Sequence, residues 1–189
     1  MLQRIKGFLT RKKYNFSKVG KGTSFGAGLK LFNEQYVSFG ENCSIGKDCF
    51  IGCWDEYAGI KLLPKLIVGN RFYVRERMTI LCAGSIVIGD AVTFAGNVLL
   101  TNENHGMDPL SESYLDNPLD VADVVIEDGV WIGENVCVLP GVTIGKKSII
   151  GAGSIVTKSI PEYSIACGNP CRVIKKFKSG KWINVCGKE

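Results

Sequence analysis

Residues 124–158 read VVIEDGVWIGENVCVLPGVTIGKKSIIGAGSIVTK, and their spacing decides the fold. Ile126, Ile132, Val138, Ile144, Ile150 and Val156 stand six apart. An amphipathic helix repeats near 3.6 residues and a half-buried strand near 2, so neither accounts for that period. Towards the N-terminus the same spacing returns in four more groups of three: Val19, Phe25, Leu31; Phe39, Ile45, Ile51; Val68, Val74, Ile80; and Ile88, Phe94, Leu100. All 18 guide positions are bulky and apolar, and ten of the residues directly after them are glycine. Four places after a guide the side chain is usually small or apolar, as at Cys43, Cys49, Val92, Val98, Val130, Val136, Val142, Ser148 and Ser154.

A short strand followed by a tight corner fits this pattern, the glycine allowing unusual backbone angles or close approach of another backbone. Three such faces close a triangular coil of about 18 residues, and coils stacked ~4.8 Å apart hydrogen-bond to one another. Six coils predict an all-β solenoid roughly 29 Å tall. A β-sandwich gives no reason for 18 regularly spaced guides. Three insertions break the register: one after Ile51, a short one after Ile80, and the longest from about 102 to 124. Insertions in a solenoid project as loops, where binding sites often sit. The chain therefore divides into an N-terminal cap (1–18), the repeat region (19–160) and a C-terminal extension (161–189), with short helices expected at the termini.

The chain has 189 residues, a net charge of +5 and eight cysteines. No uncharged run reaches the 18 residues of a membrane span, and the N-terminus does not read as a signal peptide, so a cytoplasmic protein is expected. Cys43, Cys49, Cys53, Cys82 and Cys137 fall inside the apolar repeat and read as small reduced core residues. Cys167 and Cys171 have no second pair and no nearby histidine, so no metal site is expected. Seven Lys or Arg lie in residues 1–21 and six in 172–189, while Asn102 to Asp128 holds eight acids and no base. No nucleic-acid motif accompanies the basic ends. The segment MLQRIKGFLTRKK reads as a helix capping the solenoid or as one lying on a membrane surface.

The run VWIG, PGVTIG, GAGSIVTK, IP and GNPCRVI resembles the hexapeptide-repeat acetyltransferases, most closely their sugar O-acetylating branch. The resemblance covers about residues 19–176. It implies a left-handed parallel β-helix, acetyl-CoA as donor, a homotrimer with sites between neighbouring prisms, and a saccharide acceptor such as a lipopolysaccharide, capsule or exopolysaccharide precursor. It implies His105 as catalytic base, the backbone N–H of Glu134 as oxyanion donor, Trp131 lining the thioester end, and Ala152, Thr157, Lys158, Arg172 and Lys175 along the coenzyme. The galactoside and maltose branch would place Asn and Asp where this chain has Arg75 and Ala83, which points to a different acceptor and puts Arg75 in the acceptor region.

The chemistry agrees with that assignment. An alcohol attacking a thioester needs a base, and imidazole changes charge near neutral pH. The oxyanion needs fixed N–H donors, which corner amides of a rigid coil supply. His105, the single histidine, stands at the root of the longest insertion between Asn102, Asn104 and the acidic loop. Either asparagine is a candidate to fix its tautomer or hold the acceptor. The small residues of GAGSIVTK leave room for a pantetheine arm, and the bases after it can meet phosphates. The other readings are N-acetylation of an amino sugar or antibiotic, and a non-catalytic scaffold with His105 on its surface. A β-helical carbonic anhydrase would need three histidines. Serine acetyltransferases carry a long helical N-terminal region that is missing here.

Overall fold

In a computed structural model of the chain, residues 14–185 are described, and they form the predicted solenoid. Three parallel sheets make its walls. The first face stacks Lys18–Val19, Val37–Phe39, Lys65–Val68, Ser85–Ile88, Val124–Ile126 and Thr143–Ile144. The second stacks Ser24–Phe25, Ser44–Lys47, Tyr73–Glu76, Thr93–Gly96, Trp131–Ile132 and Ile149–Ile150. The third stacks Lys30–Phe32, Phe50–Cys53, Thr79–Cys82, Leu99–Thr101, Cys137–Val138 and Ile155–Val156. Among the described residues this gives six complete tiers, in register guide on guide: Val74 pairs Ile45 and Phe94, and Ile132 pairs Phe94 and Ile150.

The guides fill the prism. From Phe39 to Val156 every one is buried, and only the first tier escapes, Val19 being 43% exposed because, among the described residues, no coil covers that end. Each such apolar side chain withdrawn from water contributes roughly 1.5–3 kcal/mol, so the period itself is the main stabilising feature. An aromatic cluster of Tyr14, Phe16, Phe25 and Phe39, with ring centroids 5.1–5.5 Å apart, closes the open end. The positions four after the guides fill the inner corners. Ser148 and Ser154 there are fully buried and bonded to the chain beyond the last tier, where Ser164 N–H donates to Ser148 Oγ and Gly168 N–H to Ser154 Oγ, both at 3.1 Å.

Two residue places make each corner. The glycine after the guide allows close approach: a Cβ on Gly46 would land on the Arg75 carbonyl of the next tier. The left-handed backbone comes two residues later, at Asn42, Asp48, Arg71, Arg77, Ala91, Asn97, Asn135 and Lys147.

The C-terminal extension differs from the expected helix. Ser164–Cys167 adds one more strand to the second face, and the chain then folds back as Arg172–Lys178 and Lys181–Asn184, both antiparallel. An exposed sheet edge offers a row of hydrogen-bonding groups that a returning strand satisfies and a helix would leave open. The expected N-terminal helix, and most of the segment read as a cap, lies outside the described residues. No described helix is long and apolar enough to cross a membrane. Among the described residues seven cysteines are free thiols, and burial pushes those of Cys49, Cys137 and Cys171 up, away from nucleophilic character.

Candidate active site

All three insertions leave the prism at one edge, between the third face and the first. The longest begins with Glu103–His105, paired antiparallel with Leu119–Val121, His105 opposite Leu119. Asn102 roots it. Its amide is fully buried, its Oδ1 accepts from Ala83 N–H at 2.8 Å, and its Nδ2 donates to Ser85 O at 3.2 Å. That carboxamide holds the short extension after Ile80, and its complete burial closes it to an acceptor in solution. Asn104 is exposed, and strand alternation turns it to the side opposite His105. Neither asparagine therefore reaches the imidazole, contrary to expectation.

What meets His105 instead is Tyr57, from the first insertion, edge to face at a centroid distance of 5.2 Å. Its hydroxyl donates to the Leu115 carbonyl at 2.9 Å, tying two insertions together across 58 residues of sequence. Asp55 anchors the base of that first insertion, accepting from Asn33 Nδ2 at 3.0 Å and Tyr36 Oη at 3.1 Å. Beyond His105, buried Asn117 donates to Gly106 O at 2.8 Å, and Gly106 N–H donates to Pro118 O at 2.8 Å. His105 is thus seated on a braced loop. A cavity of about 170 Å³ lies beside it, lined by Trp54, Tyr57, Glu103, His105 and Leu119. A second, of about 330 Å³, is lined by His105, Gly106, Met107 and Tyr114. Thr157 and Lys158, both exposed, lie on the same edge two tiers on, about 10 Å along the axis.

The other expected residues occupy a different edge. Glu134 lies where the second face turns into the third, with Ala152 one tier beyond and Arg75 on the same corner. Arg75 Nη2 lies 2.8 Å from Glu134 Oε1, while Glu134 Oε2 accepts from Gly96 N–H at 3.0 Å. Trp131 projects from the second face, 53% exposed, and Arg172 and Lys175 lie on the returning strand of that same sheet.

The Glu134 peptide lacks a cap that several other corners have. Along the stacked corners a side chain from one tier caps the N–H of the tier before: Asn70 caps Glu41, Asp90 caps Asn70, Asp128 caps Asp90, and Glu134 caps Gly96. The residue due to cap Glu134 is Ala152, which has no acceptor. Among the described residues the Glu134 N–H has no partner. The ladder also ends at Asp128, before Lys146, but no site residue gathers at that corner.

The expected site residues thus fall into two separated groups on the chain: His105, Thr157 and Lys158 on one edge; Arg75, Trp131, Glu134 and Ala152 on another, with Arg172 and Lys175 beside them. Sequence reading missed Trp54, Tyr57, Glu103 and Asn117. Only Trp54 and Tyr57 carried a signal, as aromatics inside an insertion.

Two family profiles match the chain, "Bacterial transferase hexapeptide (six repeats)" over residues 123–158 and "Hexapeptide repeat of succinyl-transferase" over 36–62. Galactoside O-acetyltransferase of Escherichia coli strain K12 is 35% identical over 148 residues, 78% of this chain and 67% of that protein. The putative lipopolysaccharide biosynthesis O-acetyl transferase WbbJ of the same strain is 33% identical, the match covering 77% of this chain and 74% of the relative. With a putative acetyltransferase of Saccharomyces cerevisiae, 43% identical, the match spans only 56% of the relative's length. Among solved structures, the N-acyltransferase AntD from Bacillus cereus, in complex with coenzyme A and an amino sugar nucleotide, superposes with a TM-score of 0.72 at 23% identity, covering 87% of this chain and 86% of that one. That likeness is one of fold, the left-handed β-helix.

Proposed function

The chain belongs to the hexapeptide-repeat acetyltransferase family, and we propose that it moves an acetyl group from acetyl-CoA to a hydroxyl of a sugar, at a site completed between copies of the chain. The separation of the two half-sites carries this reading. A base on one edge and an open oxyanion donor on another cannot serve one carbonyl within a single prism. A ring of copies, each presenting one edge to the next, brings them together, and heterologous contacts that close make such rings. A homotrimer suits a three-sided prism. The loop offers apolar surface for the contact, with Met107, Leu110, Tyr114 and Leu115 between 58% and 91% exposed.

In that site His105 takes the proton of the attacking hydroxyl as its oxygen bonds to the acetyl carbon. The negative charge on the carbonyl oxygen is held by the Glu134 N–H. Collapse breaks the carbon–sulfur bond, and the proton passes from the imidazole to the departing thiolate. Lys158, Arg172 and Lys175 meet the phosphates of the donor in this reading, and Trp131 lines its thioester end. The galactoside and lipopolysaccharide relatives support a saccharide acceptor. Because Arg75 is committed to Glu134 and Ala83 is buried, a cell-surface polysaccharide precursor is the acceptor proposed rather than a galactoside or maltose.

Calorimetric titration with acetyl-CoA, beside thiol release against a panel of alcohols and amines, tests the reading. His105→Ala should keep acetyl-CoA binding and lose about 10²–10⁴ in turnover. No binding at millimolar acetyl-CoA would overturn it, and turnover on amines alone would move it to N-acetylation.

A further inference from the structure

Glu103 is the one acid beside the base that the proposed reaction leaves without a task. It shares a face with His105, two places along the strand, and lines the same cavity as Trp54, Tyr57 and Leu119. Burial holds its carboxyl above its ordinary value, with His105 pulling the other way. Among the described residues nothing donates a hydrogen bond or an ion pair to that carboxyl. A half-buried acid among aromatic side chains is costly unless something polar meets it, and such residues cluster at binding sites. The aromatic wall is rigid. Trp54 packs on Phe32 at a centroid distance of 4.9 Å, its backbone N–H donates to Cys82 O at 2.8 Å and fixes the chain there, and the Tyr57 hydroxyl is fixed on Leu115.

We propose that Trp54, Tyr57 and Glu103 form a subsite for the ring of a pyranose acceptor, a proposal that rests on the saccharide reading above. Flat aromatic surface takes the C–H face of the ring, and its polar rim is left for hydrogen bonds. Glu103 accepts from hydroxyls neighbouring the one that is acetylated, which places the reacting oxygen at His105. Specificity follows, since a site built to bond a hydroxyl rejects a ligand lacking it far more strongly than an apolar pocket rejects a missing methylene. Because the first insertion supplies two of the three residues, its sequence sets which ring is accepted.

Direct binding tests this without turnover. The full-length protein, Glu103→Gln, Trp54→Ala and Trp54→Phe are titrated by calorimetry with methyl glucoside, methyl galactoside and methyl mannoside, with glycerol as a ring-free control and acetyl-CoA in parallel. At least one glycoside should bind the parent, more tightly than glycerol. Glu103→Gln and Trp54→Ala should weaken it about tenfold or more, Trp54→Phe less, and acetyl-CoA affinity should stay unchanged. The proposal falls if no glycoside binds the parent, if the variants bind glycosides as the parent does, or if glycerol loses as much as the rings. Failure of acetyl-CoA to bind, with glycoside binding intact and sensitive to Glu103, would instead sink acetyl transfer and leave the subsite standing.

Discussion

Ala152 is stacked one tier beyond Glu134, close enough that Gly153 N–H donates to the Glu134 carbonyl at 2.7 Å, yet it offers nothing to the Glu134 N–H. At the first corner the matching places hold Asn70, Asp90 and Asp128, each with a side-chain oxygen on the peptide one tier before. The missing cap leaves a rigid, unpartnered donor beside Trp131. A fixed N–H aimed at developing negative charge is among the larger single contributions to catalysis.

Restoring the cap should therefore silence the donor. Ala152→Asn places an amide oxygen where Asn70 uses one, and turnover should fall about 10²–10³ with the melting curve unchanged or improved. Steady-state kinetics beside thermal melts decide it. Turnover within a few-fold of the parent would show that this peptide does not hold the oxyanion.

The two corner places make opposite predictions for glycine. Gly46→Ala drives a Cβ into the Arg75 carbonyl and should cost about 1–3 kcal/mol in denaturant unfolding. Gly153 has φ +70° and open space around it, and Asn97 and Asn135 sit at the equivalent place, so Gly153→Asn should change stability by less than about 1 kcal/mol. Equal costs would mean that close approach is not what the first glycine provides.

Glu103 gives a pH dependence with a definite sign. A carboxyl that holds its proton more tightly in the fold than in the unfolded chain contributes stability at low pH, lost as pH rises through its raised value. At neutral pH the ionised side chain is a net cost. Glu103→Gln should raise the Tm by roughly 1–3 °C at pH 7, with the gain shrinking towards pH 4. A gain independent of pH, or a lower Tm at neutral pH, contradicts this placement of the acid.

The prism was legible because its signal is periodic: a guide such as Ile132 is buried by Phe94 and Ile150, residues that obey the same spacing. His105 was legible as a lone imidazole at a break in that period. Its surroundings were not. Tyr57 reaches Leu115 across two insertions, and contacts between insertions follow no repeat. Asn102 looked like an active-site residue and proved a bracket, because whether an amide faces a ligand or a backbone depends on a neighbouring tier. The C-terminal hairpin was missed for a similar reason, since its strands exist to cover a sheet edge that only the folded solenoid creates.

The assembly of each site from two copies is tested most directly by mixing chains. His105→Ala disables one edge, and Trp131→Ala with Ala152→Asn disables the other. Each alone should be inactive as a homo-oligomer. Co-expressed in equal amounts and purified together, they should recover about a quarter of the parent turnover per site, the chance that an intact edge of one chain meets an intact edge of the next in a closed ring. Mixtures that form but stay as inactive as either variant alone would place the whole site within one prism and contradict the account.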